Sequence, residues 1–219
     1  SSYELFRQII EKHMRKNNKK TAHVLDLGCG AGWGSAYLAH IKGVKVTGVD
    51  IGVAAIEYAK TYHKNSKTNF FYADILEYIN YMPEYDYIIS RNMVEHVPDG
   101  INLFKQLKWK EMLLVDVPYK ESKGVNLYHL LHMVDETHFK DYENPLFLYQ
   151  DLEGIVYKTP SQDIYINIMF ILCQHKPTIL LNDFSSIIPA WKPQNDYEYY
   201  DQSQAGKARW FLGNRLRVH

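Results

Sequence analysis

Cysteine is scarce in this sequence: Cys29 and Cys173 are the two examples among 219 residues. Two cysteines cannot build a disulfide framework, and their scarcity indicates the reducing cytoplasm. Long apolar runs are also missing, since the longest, residues 164–173, is far shorter than the about 20 residues that a membrane-spanning helix needs. Residues 1–20 contain no apolar core of a signal peptide. We therefore expect a cytoplasmic protein without a membrane span.

An excess of charge of one sign is likewise absent. Lysine and arginine number 25, and aspartate and glutamate also number 25, so the formal net charge is zero. Nucleic-acid-binding domains usually carry a basic excess that neutralises phosphates, so general nucleic-acid binding is not expected. Tyrosine, by contrast, is abundant at 18 residues, which indicates an aromatic-lined surface or pocket.

Short apolar segments alternate with amphipathic ones over the first half of the chain. The spacing of apolar residues predicts helices at residues 3–15, 34–41, 53–63 and 99–107. Short apolar runs bounded by turn residues predict strands at residues 23–27, 44–49, 69–72, 85–90 and 111–117. Strands that alternate with helices indicate βαβ units, so we expect an α/β fold with parallel strands and right-handed crossovers.

The alternation stops after Tyr119, where a polar, histidine-bearing segment begins. Three further strands joined by short turns, which predict an antiparallel edge, are expected at residues 147–150, 154–158 and 164–174. We therefore predict one α/β domain over residues 1–176, with a substrate insertion at about residues 119–145. Residues 177–219 would form a C-terminal extension.

A glycine-rich turn follows the first predicted strand, with glycines at positions 28, 30 and 32. Glycine lets the backbone turn sharply and come close to a ligand where a Cβ would intervene. Asp50 ends the next predicted strand, where a carboxylate can accept both ribose hydroxyls of a nucleoside. A dinucleotide site would have glycine in place of Trp33, and Asp26 would crowd a pyrophosphate. The Asp26 carboxylate instead suits a ligand that carries an ammonium group.

Four segments resemble, in order, the motifs of the class I S-adenosylmethionine-dependent methyltransferases. The similar segments are residues 26–32, 48–51, 72–75 and 85–97. The Glu-His-Val-Pro-Asp form at residues 95–99 is common in the ubiquinone-biosynthesis-like branch of that family. The resemblance covers about residues 21–118. It implies a Rossmann-like methyltransferase sandwich with a mostly parallel seven-stranded sheet and an antiparallel edge.

The resemblance also implies a methyl donor and the residues that bind it. The donor would be S-adenosyl-L-methionine and the product S-adenosyl-L-homocysteine. Asp26 and the backbone of Gly28 and Gly30 would hold the methionine end, and Asp50 would hold the ribose. The remaining implied contacts are Ile51 on the adenine, Asp74 on its exocyclic amine with Ile75 alongside, and Arg91 or Asn92 near the sulfonium. Trp33 either closes over the donor or packs in the core.

The acceptor must lie in line with the donor, and a base is needed where the attacking atom carries a proton. Ligands of open α/β sheets bind beyond the carboxyl ends of strands, so candidates follow the fourth and fifth strands. They are Glu95, His96, Tyr119, His129, His132 and His138. His129 and His132 are spaced for one face of a helix. We expect catalysis by His129, His132, His96 and Tyr119.

Other interpretations of these histidines stay open. The segment could be a surface helix whose histidines cap or pack, and His96 could cap the turn that follows it. A metal site that includes Asp135 or Glu136 is not expected, because histidines at i and i+3 alone are a weak metal signal. Displacement at a sulfonium also needs no Lewis acid.

The Pro118–Tyr119 pair followed by a histidine-rich loop is similar to small methyltransferases of bacterial surface-polysaccharide and sugar-modifying pathways. This similarity implies O-methylation of a small polar acceptor, such as a sugar or a nucleotide-linked or phosphoryl-bearing capsule or polysaccharide precursor. The alternatives are a quinone-precursor methyltransferase, an RNA methyltransferase and a non-catalytic S-adenosylmethionine-binding protein. A homodimer is compatible with the sequence.

Overall fold

The computed structural model describes residues 2–184 and the backbone of residues 187 and 188. These residues form two compact units. The glycine unit is Thr21–Met82, and the histidine unit contains the residues up to Lys20 and those from Pro83 onward. The predicted domain limits stay a prediction, and residues 185, 186 and 189–219 of the expected extension lie outside the described residues.

Helices and strands follow the alternation that the hydrophobic pattern predicts. The helices are α1 Ser2–Lys16, α2 Trp33–Leu38, α3 Val53–Tyr62, α4 Ile75–Tyr78 and α5 Gly100–Lys105. The strands are β1 Ala22–Leu27, β2 Val44–Asp50, β3 Thr68–Tyr72, β4 Tyr85–Arg91, β5 Trp109–Pro118, β6 Leu146–Asp151, β7 Val156–Tyr157, β8 Ile166–Gln174 and β9 Ile187–Ile188. Short 3₁₀ helices occur at Val94–His96, Glu136–Phe139 and Leu181–Asp183. Within the described residues, no helix has both the length and the apolar character to cross a bilayer.

The glycine unit is built on three parallel strands with β2 in the middle. Asp26 of β1 pairs with Gly48 of β2, and Gly48 pairs with Phe70 of β3. The Phe70 ring is fully buried and packs with Cys29 and the apolar face of α3. Because β1 and β2 are parallel, their carboxyl ends meet at one edge, which brings the glycine turn and Asp50 together.

The histidine unit combines parallel and antiparallel strands. β4 and β5 are parallel, whereas β8 runs antiparallel between β5 and β6, and the short strands β7 and β9 continue the antiparallel edge. The amphipathic helix α1 buries its apolar face, on which Phe6 meets Phe170 of β8 with ring centroids 5.9 Å apart. The predicted parallel strands and antiparallel edge are confirmed. The expected seven strands are the longer strands of the described chain, and the two-residue strands β7 and β9 extend the antiparallel edge beyond them.

The segment between β5 and the 3₁₀ helix at Glu136–Phe139 is irregular, so the predicted helical face that carries His129 and His132 is wrong. Left-handed backbone conformations at Lys120, Gly124 and Met133 interrupt helical geometry there. The segment is tied down at its middle instead, where the backbone N–H of Leu130 donates to the carbonyl of Glu95 over 2.7 Å. We call residues 120–135 the histidine loop.

Candidate functional site

The glycine turn follows β1 and is held open by backbone contacts to β2. The N–H groups of Gly28 and Cys29 both donate to the carbonyl of Val49, over 2.8 and 3.1 Å. Gly30 adopts a left-handed φ of +54°, and a Cβ placed on it would meet no atom within 4 Å. The turn therefore presents bare backbone next to unfilled space, as a closely approaching ligand requires.

Asp50 joins the glycine turn to the start of α3. One carboxylate oxygen accepts from the N–H of Gly30 over 2.8 Å, and the other accepts from the N–H of Gly52 over 2.7 Å. Each oxygen keeps a further lone pair, so the carboxylate can also accept from ligand hydroxyls. The predicted ribose-binding residue thus has a structural role in the same turn.

Asp26 supplies a second carboxylate to this turn. The residue is fully buried, and its carboxylate accepts from the Ser35 hydroxyl over 2.6 Å. Burial, followed by the charges of Asp26 and Asp50, raises the pKa of the Cys29 thiol well above its usual range. The glycine turn is therefore an electronegative environment, which suits a cationic group.

The other predicted donor residues of the glycine unit occupy varied environments. Ile51 follows β2 and is 60% exposed, so its side chain is available to a ligand. Asp74 caps α4 by accepting from the N–H of Leu76 over 2.9 Å, whereas Ile75 is buried in the unit. Trp33 begins α2 and is half-buried.

Arg91 and Asn92 lie where β4 ends in the histidine unit. Asn92 has a left-handed φ of 47°, and its N–H donates to the buried Asp116 carboxylate over 2.6 Å. The Nε and Nη1 atoms of Arg91 and the Oδ1 atom of Asn92 are buried without a hydrogen-bond partner among the described residues. Each of these atoms retains unused hydrogen-bonding capacity.

A histidine cluster forms where the 3₁₀ helix at Val94–His96 meets the histidine loop. It consists of Glu95, His96 and His129, and the two imidazole rings meet edge to face with centroids 4.7 Å apart. The Nε2 atom of His129 lies 3.9 Å from the Glu95 carboxylate. One ligand atom from each of the three residues lies within 4.8 Å of the others, so the cluster could hold a metal ion.

Both imidazoles of the cluster are oriented through Nδ1. Nδ1 of His129 lies 2.5 Å from a carboxylate oxygen of Glu121, and Nδ1 of His96 lies 3.1 Å from the carbonyl of Tyr128. The amide nitrogen of Asn126 lies 2.9 Å from His129 Nε2, while its amide oxygen accepts from a backbone N–H. This pattern places the proton of His129 on Nδ1 and leaves a lone pair on Nε2.

Glu95 is 1% exposed, and neither of its carboxylate oxygens has a hydrogen-bond partner in the described part of the chain. Burial raises the pKa of this carboxyl to about 8, and the charges of Asp116 and Glu121 push it in the same direction. The Arg91 guanidinium opposes this rise without cancelling it. Burial also lowers the pKa of His96, so the neutral forms of both Glu95 and His96 are favoured.

The remaining predicted catalytic residues are not members of the cluster. The Tyr119 hydroxyl donates to Glu136 over 3.2 Å, and the Tyr149 hydroxyl donates to the same oxygen over 2.5 Å. The Nδ1 atom of His132 is buried and lacks a described partner, and His138 lies in the cap of the Glu136–Phe139 helix. Sequence reasoning missed Glu121 as the partner of His129, and no motif or spacing in the sequence marks that pair.

Comparison with known proteins shows which family the chain matches. The family described as "Methyltransferase domain" matches residues 2–140 of the chain. Among solved structures, the plantazolicin methyltransferase BpumL in complex with S-adenosylhomocysteine is similar in fold, with a TM-score of 0.58 at 18% identity. That match covers 80% of this chain and 85% of BpumL.

Curated relatives match over shorter stretches. The ubiquinone biosynthesis O-methyltransferase of Nitrosospira multiformis is 34% identical over 96 residues, which is 42% of this chain and 38% of that protein. The phosphoethanolamine N-methyltransferase 1 of Zea mays is 34% identical over 111 residues, which is 48% of this chain and 21% of that protein. The matches thus span well under half the length of both relatives.

Proposed function

Because the chain belongs to the class I S-adenosylmethionine-dependent methyltransferases, we propose that it methylates an oxygen atom of a small polar acceptor. The acceptor classes we propose are a sugar and a nucleotide-linked or phosphoryl-bearing polysaccharide precursor. Bound S-adenosyl-L-methionine supplies a methyl group on a positively charged sulfur. The roles below concern what this chain's own residues do with donor and acceptor.

The glycine turn is the proposed site for the donor's methionine and ribose. Its open backbone at Gly30 and the carboxylates of Asp26 and Asp50 fit a ligand that carries both an ammonium group and ribose hydroxyls. Asp50 accepts the ribose hydroxyls with the lone pairs that its backbone contacts leave free. The further proposed donor contacts are Gly28, Trp33, Ile51, Asp74, Ile75, Arg91 and Asn92.

The histidine cluster is the proposed place of acceptor activation. As the oxygen–carbon bond forms and the carbon–sulfur bond breaks, the acceptor hydroxyl must lose its proton. His129 offers an unprotonated Nε2 whose orientation is fixed by the contact between Nδ1 and Glu121. This contact is the single observation that carries the proposal of an O-methyltransferase, because a hydroxyl acceptor needs such a group.

Replacement of His129 tests this assignment. His129→Asn should lower turnover by about a hundredfold or more, the usual lower limit for loss of a general base, while leaving donor affinity intact. S-adenosylhomocysteine formation measures turnover, and calorimetry with S-adenosylhomocysteine measures affinity. His40→Asn, at an exposed position of the glycine unit, is the matched control. Wild-type turnover in His129→Asn contradicts the proposal, as does a loss that follows only from early melting.

A second acceptor class is a phenolic quinone precursor. Two observations favour it: the relative from Nitrosospira multiformis is named for ubiquinone biosynthesis, and the histidine loop exposes large apolar side chains. Val125, Leu127 and Tyr128 are 69%, 87% and 67% exposed. A panel that contains a nucleotide-linked sugar, a catechol, phosphoethanolamine and a short RNA separates the classes. Methylation of the catechol alone would select the phenolic alternative.

A further inference from the structure

Glu95 is a buried carboxyl group whose surroundings do not satisfy it. Both oxygens are buried, and no described residue donates a hydrogen bond to them. A buried carboxylate without hydrogen bonds is strongly unfavourable, and the Arg91 guanidinium offsets this cost only in part. The proposed base alone does not explain why this group is kept beside two imidazoles, since base catalysis at His129 needs Glu121 and not Glu95.

The two imidazoles beside Glu95 are held as metal-binding histidines are. Such histidines donate their other ring N–H to a carboxylate or a backbone carbonyl, which fixes the tautomer and the ring orientation. His129 has a carboxylate partner for Nδ1, and His96 has a carbonyl partner for Nδ1. The Nε2 lone pair of His129 is directed toward Asn126 and Glu95, with the carboxylate 3.9 Å away.

We propose that Glu95, His96 and His129 bind one divalent first-row transition-metal ion, with Glu121 and the Tyr128 carbonyl orienting the imidazoles. Two nitrogen ligands and one carboxylate favour zinc, manganese or cobalt over magnesium, which prefers oxygen ligands. The ligand atoms lie within 4.8 Å of one another. Ligand atoms bonded to one ion at about 2.1 Å lie about 3–3.5 Å apart. Side-chain rotations that move each ligand atom by about 1 Å would therefore bring the three atoms to bonding distance of one ion.

The charge of a bound ion and its access to solvent also support a metal site at this cluster. The ion places positive charge against the buried Glu95 carboxylate and displaces Asn126 from His129 Nε2. His96 is exposed, so the ion is open to solvent on one side and has a free coordination position. This last step rests on the proposed function: an acceptor hydroxyl bound at that position would have a lowered pKa. In the metal-bound form His129 Nε2 is a ligand and no longer the base, so the ion takes over activation of the hydroxyl and the proton leaves to solvent on the exposed side.

Metal binding can be measured without any acceptor or donor. The full chain, stripped with chelator and dialysed, should bind zinc or manganese at a ratio of one to one in calorimetry, and cobalt should give a visible absorption spectrum. His96→Asn and Glu95→Gln should each weaken binding by about tenfold or more, and Glu121→Gln by about 10- to 100-fold as an outer partner. His40→Asn, a surface histidine elsewhere, should bind as the wild type does.

The variants also define what overturns the proposal. His96 is exposed, so His96→Asn is expected to fold even where Glu95→Gln fails to do so. Absence of binding at millimolar metal, or binding that His96→Asn and Glu121→Gln leave unchanged, shows that the cluster is not a metal site. Methyl transfer that persists in chelator would then leave the proposed function standing without the metal. Metal binding without methyl transfer would support the metal site and contradict the proposed function.

Discussion

Asp50 combines a structural role with a proposed ligand-binding role in one carboxylate. Both of its oxygens accept backbone N–H groups, from Gly30 and from Gly52. A residue with this role cannot be tested by donor affinity alone, because its removal also releases two turns of the backbone. Affinity and stability must therefore be measured on the same variant.

We predict that Asp50→Ala weakens S-adenosylhomocysteine binding by about 1–3 kcal/mol, the cost of hydrogen-bonding groups left unpaired. The melting temperature should fall as well, since the N–H groups of Gly30 and Gly52 lose their acceptor. Titration calorimetry below the melting temperature separates the two effects. Glu57→Ala, an exposed carboxylate on α3, should change neither quantity. Unchanged affinity in Asp50→Ala would refute the ribose assignment.

The lowered pKa of His13 should make the stability of the fold depend on pH. This dependence involves neither the glycine turn nor the histidine cluster. Its Nδ1 atom lies 2.8 Å from the Tyr87 hydroxyl inside the histidine unit. Burial lowers the pKa of His13 below its usual 6.5, while Glu111 raises it and Lys19 lowers it to a smaller extent. The unfolded chain therefore binds this proton more tightly. The contribution of neutral His13 to stability is complete above that usual value and is lost as the pH falls through it toward the folded pKa.

Denaturant unfolding at about pH 7.5 and about pH 5.5 measures this dependence. We predict that the wild type loses more free energy of unfolding between these conditions than His13→Gln, whose amide does not titrate. A double difference removes the contributions of the other histidines, because they are common to both proteins. Equal losses in the two proteins would show that His13 keeps its usual pKa.

The glycine turn, as an element, divides its glycines between folding and ligand binding. At Gly32, φ is +84°, and a Cβ would lie 2.7 Å from Ala59 Cβ and 2.7 Å from the Phe70 ring. At Gly30, φ is +54°, and the space around a Cβ is empty. Gly32 therefore permits packing of the turn on the core, and Gly30 borders the open space where we propose that the donor binds.

We predict that two alanine variants differ in how much stability and how much donor affinity they lose. Gly32→Ala should lower the free energy of unfolding by about 2–5 kcal/mol, from left-handed strain and overpacking together. Gly30→Ala should lower it by about 1–2 kcal/mol from strain alone, while weakening S-adenosylhomocysteine binding by about tenfold or more. Denaturation and calorimetry on both variants provide the test. A stable Gly30→Ala variant with wild-type affinity would show that the donor does not approach this backbone.

The elements differ in how far sequence determines them. Helix α1 and strands β1 to β5 follow from hydrophobic period and turn residues, and the structure confirms them within one or two residues. The same reasoning fails for the histidine loop. The spacing of His129 and His132 predicts a helix, but the left-handed backbone at positions 124 and 133 is incompatible with one. Contacts between distant segments, such as Glu95 with His129, depend on the folded loop and leave no local pattern in sequence.

At the scale of the whole molecule, the sequence predicts the proposed donor site better than the proposed acceptor site. The proposed donor motifs are short and contiguous, and neighbouring residues set their turns, as where Asp50 accepts from the N–H of Gly52. The residues proposed to activate the acceptor are spread over positions 95 to 129 and meet only through tertiary structure. The curated relatives are named for different substrates, ubiquinone and phosphoethanolamine, and match less than half of this chain, so they do not identify its acceptor.

Donor binding should stabilise the whole chain, because a ligand that binds only the folded state shifts unfolding by mass action. We predict micromolar affinity for S-adenosylhomocysteine, so ligand at about 100 times the dissociation constant should add about 2.7 kcal/mol of stability. For a chain of this size that gain corresponds to a rise of about 5–10 °C in melting temperature. ATP is the matched control: it shares the adenosine, but Asp26 disfavours a triphosphate beside the glycine turn. If millimolar S-adenosylhomocysteine leaves the melting temperature unchanged, or if ATP raises it equally, the donor does not bind at the glycine turn as proposed.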